Sequence, residues 1–422
     1  MGKHRHLVIG ISAVLLALTG CGTKNEVVNY EVPDEASHRL LFFGNKYEPA
    51  NVEVIEDILT EYMEMNPDIS ISYESIKGAD YYSALVSREN AGRLDDVFMI
   101  NHDTGLLFSH HGSLADLTDL VEQNDFSESM LSQMQSPDGG IYWVPTTVSA
   151  FGMYCNLDLL KQHGQSVPAS LGEWESVCDY FVSEGITPII SNNDISIKTL
   201  AIAKGFYPLY AEGRQTEAFD KVNSGTQKLS FYLEDGFALA KDFCDRGYID
   251  AARALETEKT SDDLEQFVQG GSPFMLTGVW AAGRVKGMEP DFEFTVVPYP
   301  ALEDGAVLVI NPDVRLSVSA MGNNQEFAKD FVNYFLQEEN IGRFADNQSS
   351  FSPLQDDFQP SLSEIQEIVD SYHTSIPVIG SDSHMKSPIW EITADISKGL
   401  LSGIDITDLM EQMDEQVMQS PD

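Results

Sequence analysis

Apolar positions along the chain follow two rhythms, one with the 3.6-residue period of a helix face and one with the two-residue period of a strand. Leu40–Phe43 is an apolar run closed by Gly44; Val54, Ile55, Ile58, Leu59, Tyr62 and Met63 then recur on one helix face until Asn66-Pro67-Asp68 stops it. Ile69, Ile71 and Tyr73 alternate with Ser70 and Ser72, so the three segments predict a β-α-β unit and a parallel sheet. A second helix, with Tyr82, Leu85 and Val86 inward, leads through Gly92 to a buried strand at Val97–Ile100. Further on, Ser170 and Glu173 have capping-box spacing before a helix whose inner face is Trp174, Val177, Cys178, Phe181 and Val182. Gly185 ends that helix, and Ile186–Ile190 begins a strand. Residues 200–270 read as mostly helical, with Phe231, Phe237, Leu239, Phe243, Leu264, Phe267 and Val268 as predicted core. Phe274–Leu276, Phe294–Val297 and Leu316–Ala320 read as strands, ahead of a helix built on Phe327, Phe331, Val332, Phe335 and Leu336. Strands alternating with helices place the chain in the α/β class.

The first twenty residues fit neither rhythm. Lys3, His4, Arg5 and His6 precede an unbroken apolar or small run from Leu7 to Leu18, followed by Thr19-Gly20-Cys21. A basic start, a short apolar core and small residues at the cut are the order of a secretory signal. The run falls short of the roughly 18 to 20 residues a helix needs to span a bilayer. With a cysteine directly after the small residues, the segment resembles the signal of bacterial lipoproteins, which implies a signal peptide over 1–20 and lipidation of Cys21. The protein is then expected at the extracellular face of the cytoplasmic membrane, held by its acyl chains alone. Gly22–Ser37 is polar with little apolar periodicity, so residues 21–38 read as a flexible lipidated tether.

About 400 residues remain, more than one hydrophobic core usually spans, and an apolar content of 42% supports two lobes. The formal charge is −42. Such a polyanion is repelled by nucleic acid and anionic headgroups, which excludes a nucleic-acid partner. Cys155, Cys178 and Cys244 are odd in number and widely spaced, so they read as buried free thiols rather than a disulfide framework or zinc site. No nucleophile elbow, His-Glu-x-x-His or phosphate loop occurs, so no catalytic residue and no cofactor is predicted. The abundance of Asp and Glu still leaves room for the carboxylate pair of a glycoside hydrolase. His102, His110 and His111 beside Asp103 have neither the i, i+4 spacing nor a completed ligand set, and read as solvated loop histidines rather than a metal site.

Several segments, in their order and spacing, resemble the extracellular solute-binding proteins of carbohydrate ABC importers, the type that includes maltose-binding protein. They are Leu40–Lys46 before a helix ending at Asn66-Pro67, Asp95–Phe98, Asn101-His102-Asp103, Gly112–Thr118, and Gly140–Pro145 followed by Tyr154–Leu160. Pro168–Trp174, Gly271–Trp280 and Val297–Pro300 continue the match, which runs from about residue 39 to 345. The resemblance implies a two-lobed, periplasmic-binding-protein-like type II fold with the ligand cleft between the lobes. Residues 39–147 and 315–346 would form lobe 1, and 148–314 with 347–422 lobe 2. It further implies a monomer that captures a sugar or oligosaccharide and delivers it to the permease subunits of an importer, without catalysis. The alternatives are a secreted carbohydrate-active enzyme and a ligand-binding accessory of a sensor kinase.

A sugar presents hydroxyls at its rim and C–H faces above and below, so its site needs planar polar groups and aromatic rings. By the resemblance, Asn45-Lys46 after the first strand match a polar pair that contacts hydroxyls, and Asp103 matches a carboxylate with the same task. Both lie at strand C-terminal ends, where open α/β sheets bind ligands. Trp280 matches a stacking tryptophan of lobe 2, and Trp390 lies where a second platform is often found. Tyr142, with Trp143, lines the cleft or packs in a strand core; Trp174 belongs to its helix core. Arg284 and Arg343 either bridge lobes or touch ligand, or form ordinary surface ion pairs. Two residues depart from the family pattern: Cys155 stands where it usually has tyrosine, and Ser149 near an acidic sugar contact of maltose-binding protein.

Overall fold

A computed structural model describes residues 28–29, 36–136 and 139–419. The leader, Cys21 and most of the tether lie outside the described residues. Within the tether, β1 (Val28–Asn29) pairs antiparallel with Ser75 and Glu74, a short edge strand in a segment expected to lack one.

The β-α-β unit is present. β2 (His38–Gly44) and β3 (Ile69–Ser75) run parallel with Leu40 opposite Ile71. The helix Pro49–Met65 joins them and buries Val52, Ile55, Ile58, Leu59 and Tyr62. Pro49 opens this helix, where the first N–H has no intrahelical partner to lose. After the helix Ala79–Asn90, β4 (Val97–Ile100) adds parallel to the other side of β2.

Further strands are β5 (Val144–Asn156), β6 (Ile189–Ile190), β7 (Phe274–Gly278), β8 (Phe294–Val297), β9 (Tyr299–Leu302), β10 (Gly305–Val307), β11 (Val309–Val318) and β12 (Val378–Ile379). β5 is buried along its whole length, and β11 runs antiparallel to it from Val309 opposite Phe151 to Leu316 opposite Val144. The far end of β11 pairs with β4, and the far end of β5 with β7 and β8. One mixed sheet results, in the order β1-β3-β2-β4-β11-β5-β7-β6, with β8 beside β5 and β12 beside β11. β5 and β11 therefore belong to both halves of it. Gly152 lets β5 approach β8, since a Cβ there would lie 2.8 Å from the Val297 carbonyl oxygen.

Ser170 Oγ accepts from the Glu173 N–H (3.4 Å), and Glu173 Oε2 accepts from the Ala169 N–H (2.9 Å), so the predicted cap closes one residue early. The helix Leu171–Ser183 buries Trp174, Val177, Cys178 and Phe181, but Val182 is exposed because it sits one residue beyond that stripe in the last turn. Phe231 also departs from prediction, at 67% exposed. The helix Ser230–Asp245 turns Leu233, Gly236, Phe237 and Ala240 inward, and a residue two before Leu233 faces away from them. That inward face meets the helix Ile195–Ala211 so closely that a Cβ on Gly236 would lie 2.0 Å from the Ala201 carbonyl oxygen. Predicted strands at Ile186–Ile190 and Leu316–Ala320 are displaced to β6 and β11. Two helices for which the hydrophobic pattern makes no prediction, Ile389–Leu401 and Ile406–Gln419, complete the fold. Cys155 and Cys178 are buried thiols, whereas Cys244 is only half-buried. No helix among the described residues is long and apolar enough to cross a membrane.

Candidate functional site

Loops after β2, β4, β7 and β12 converge on the middle of β11 around a cavity of about 1080 Å³, at the upper end of the roughly 300–1,000 Å³ of small-ligand pockets. Asn45, Lys46, Asp103, Trp280 and Trp390 all line it. Tyr142 is not part of that lining: its ring lies over Gly140 and its carbonyl accepts from Ser317 Oγ (2.9 Å).

Backbone glycines set the two tryptophans. Trp280 occupies a short 3-10 turn, Val279–Ala281, directly after β7. Its ring lies on the Gly278 backbone, where a Cβ would come within 2.2 Å of it; Gly380 lies against Trp390 in the same way, at 2.8 Å. Phe151 of β5 stands between them, its ring centroid 5.2 Å from Trp280 and 5.1 Å from Trp390. The Lys198 ammonium sits 4.1 Å from the Trp390 ring centroid and bonds Asp194 at 2.6 Å. Burial lowers the Lys198 pKa to about 8, against the pull of Asp194. Burial would raise the Asp194 pKa, but Lys198 and Lys259 together hold it down at about 2. Lys259, on the cavity rim, completes this network by bonding the second Asp194 oxygen.

The opposite wall is polar. Asn45 Nδ2 donates to the Tyr82 hydroxyl (3.1 Å), while its Oδ1 is buried without a partner. Asp103 follows Asn101, whose side chain caps the helix His102–His111. It opens onto the cleft, yet the enclosing walls and the Glu391 carboxylate push its pKa up. Burial lowers His102 to about 4, and its Nε2 lies 3.3 Å from the Met385 carbonyl. His111 instead pairs with Glu89, and His110 is exposed. Among the described residues no group of three His, Cys, Asp or Glu side chains is placed to hold a metal ion.

On the cavity floor β11 departs from regular geometry. Five consecutive residues, Asn311–Arg315, line the cavity, which alternating strand side chains do not do. Val314 breaks the alternation with φ of 43°, a left-handed value strained for a β-branched residue, and the Thr146 hydroxyl holds its carbonyl at 2.7 Å. Arg315 is 3% exposed, and its guanidinium stacks 4.2 Å from the Trp143 ring centroid. Arg284 reaches Glu48 at 3.7 Å across the lining, whereas Arg343 pairs with Glu61 outside it. Five Lys or Arg and five Asp or Glu line the cavity, so it is charge-balanced in a chain of net charge −42.

Sequence reasoning missed Phe151, Lys198 and Arg315. An arginine within the mostly apolar strand run Val314–Val318 is the one signal the sequence offers; the other two depend on long-range packing.

A sequence model of the family described as bacterial extracellular solute-binding protein matches residues 57–367. The multiple sugar-binding protein of Streptococcus mutans is 22% identical over 359 residues, covering 80% of this chain and 79% of that protein. The melibiose/raffinose/stachyose-binding protein of Bacillus subtilis is 21% identical, covering 83% and 81%. The solved structure of RafE in complex with raffinose superposes with a TM-score of 0.70 at 19% identity, covering 89% of this chain and 98% of that one. The shared fold is the two-lobed α/β type II architecture.

Proposed function

The chain belongs to the bacterial extracellular solute-binding proteins, and from that premise we propose that its cleft captures a neutral oligosaccharide and delivers it to the permease of an ABC importer. The observation that carries the ligand class is the cavity itself: two glycine-seated tryptophans on one side, polar side chains including Asn45, Lys46 and Asp103 on the other, and a lining with no net charge. The tryptophans supply flat faces for sugar C–H surfaces, and Asn45, Lys46 and Asp103 meet the rim. Relatives whose names specify multiple sugars or raffinose and stachyose support the same reading. The protein acts outside the cytoplasm, as its family does; lipidation of Cys21 would keep it at the membrane, working as a monomer. The proposed lobe borders at 147/148 and 314/315 fall within β5 and β11, the strands shared by both half-sheets.

One observation favours a hydrolase: Asp103, with its raised pKa, feels the Glu391 carboxylate across the cleft. One experiment weighs both readings. Residues 22–422 are screened by thermal shift against a glycan panel that includes maltotriose, raffinose, stachyose and chitin oligosaccharides, and each mixture is then analysed for cleavage. Ligand at 100 times its dissociation constant should add about 2.7 kcal/mol of stability. Intact glycan after incubation supports capture; accumulating fragments with turnover would replace it with catalysis, and no shift with any glycan would remove the carbohydrate reading.

A further inference from the structure

Arg315 is the one strongly buried cation on the cavity lining, and its charge is poorly met by the protein. Among the described residues its hydrogen bond is a long one, from Nε to the Pro312 carbonyl at 3.4 Å, and no carboxylate comes within ion-pairing distance. Removing a guanidinium from water without acceptors for its N–H groups is costly, so its open donors point to something the cleft receives. Asp313 and Asp103 are near enough to act on Arg315 electrostatically, and Tyr82 feels all three charges. Asn45, bonded to Tyr82, brings an unpartnered buried acceptor to the same corner. The strained Val314 between Asp313 and Arg315 is what lets consecutive β11 residues share the cavity surface. Strain retained at a ligand-facing position is the pattern of a functional constraint.

We propose that Arg315 is the specificity-determining residue of the cleft, donating from its fork to two adjacent hydroxyl oxygens of one sugar ring while Asp103 and Asp313 accept the hydrogen bonds those hydroxyls donate. This rests on carbohydrate capture and narrows it. A vicinal diol is both acceptor and donor, so it satisfies a guanidinium and two carboxylates together. A ring carboxylate at the fork satisfies only the guanidinium and meets two like charges, so a uronic acid gains nothing there from its charge and binds less well than a neutral ring. A ring lacking one hydroxyl leaves a buried donor unpaired and is rejected for the opposite reason.

The test compares wild type, Arg315→Met and Arg315→Lys by calorimetry, using the strongest neutral glycan from the panel above and tri-galacturonate as the acidic probe. Circular dichroism and melting of each unliganded variant check the fold. The inference expects neutral-glycan affinity to fall on the order of 30-fold or more in Arg315→Met, the scale of a charged hydrogen bond, with a partial recovery in Arg315→Lys. It also expects tri-galacturonate to bind wild type more weakly than the neutral glycan. Neutral-glycan binding that is unchanged in a folded Arg315→Met protein overturns the role of Arg315 and leaves capture standing. Preference for tri-galacturonate overturns the diol selectivity. If wild type binds neither class of probe, carbohydrate capture fails first and this inference falls with it.

Discussion

Trp280 illustrates how a single side chain is positioned by what its neighbour lacks. Gly278 has no Cβ, so the indole lies flat on its backbone, and Gly278→Ala would expel the ring from its seat. We expect Trp280→Ala to weaken glycan binding by about 2 kcal/mol, roughly 30-fold, with the unliganded fold intact. Gly278→Ala should reproduce most of that loss; equal calorimetric affinities for wild type and both variants would take Trp280 out of the site. Asp194 makes a separate, pH-dependent prediction. Its folded pKa of about 2 lies below the ordinary carboxylate value, so on acidification the unfolded chain takes up this proton first. Its stabilisation, on the order of 2 kcal/mol, is complete above about pH 4 and is lost as pH falls through 2. Asp194→Asn should therefore be less stable at neutral pH, through the unpaired Lys198, and should lose less on acidification than wild type in urea titrations at pH 2 to 7. Five of the six candidate ligand residues line the cavity; Asn45, Lys46, Asp103 and Trp280 do so because they follow strands whose positions come from local pattern, whereas Trp390 lies at the start of a helix that the pattern does not predict. Tyr142 does not, since its orientation is decided by a close contact with Gly140 that spacing along the chain does not encode.

Elements with strong local signals form where the sequence places them. The helix Pro49–Met65 carries its stripe over seventeen residues and its stop directly after, at Asn66-Pro67, and Phe294–Val297 is reproduced to the residue. The hydrophobic pattern does not predict β5, because a strand buried along its whole length has no alternation. Phe231 failed for another reason: an aromatic residue in the first turn of an amphipathic helix looks like core until the stripe is fixed by its partner. That partner contact is tight. Gly236→Ala would drive a methyl group into the Ala201 backbone, and we expect a loss of about 1–3 kcal/mol, read as a lower urea midpoint. An unchanged midpoint would mean that these helices separate without cost.

At the scale of the whole molecule, charge and shape make separable predictions. Net charge of −42 repels itself throughout the folded chain, so raising ionic strength from 10 to 150 mM should raise the melting temperature. Affinity for a neutral glycan in a charge-balanced cleft should change little over the same range; a strong salt dependence would argue for a charged ligand. Ligand should also draw the two lobes together about their connection, as in hinge closure, and reduce the radius of gyration in solution scattering. Two lobes were legible from length and apolar content, and their type II arrangement came from the family resemblance. The mixed sheet was not legible, since β5 and β11 meet across a long stretch of intervening chain.

β5 and β11 lie side by side through the waist of the molecule, paired from Val309 opposite Phe151 to Asp313 opposite Thr147 and again from Arg315 opposite Pro145 to Leu316 opposite Val144, with one interruption at Val314. Two bonded strands resist sliding past each other but tolerate bending out of their common plane. Motion between the halves is then expected as a flexing of this ribbon about the Val314 interruption, with the flanking rungs kept. Amide protons of the paired residues other than Pro145 and Pro312 should exchange slowly with and without glycan, so that opening costs the protein no backbone bond and each cycle of uptake returns to the same alignment.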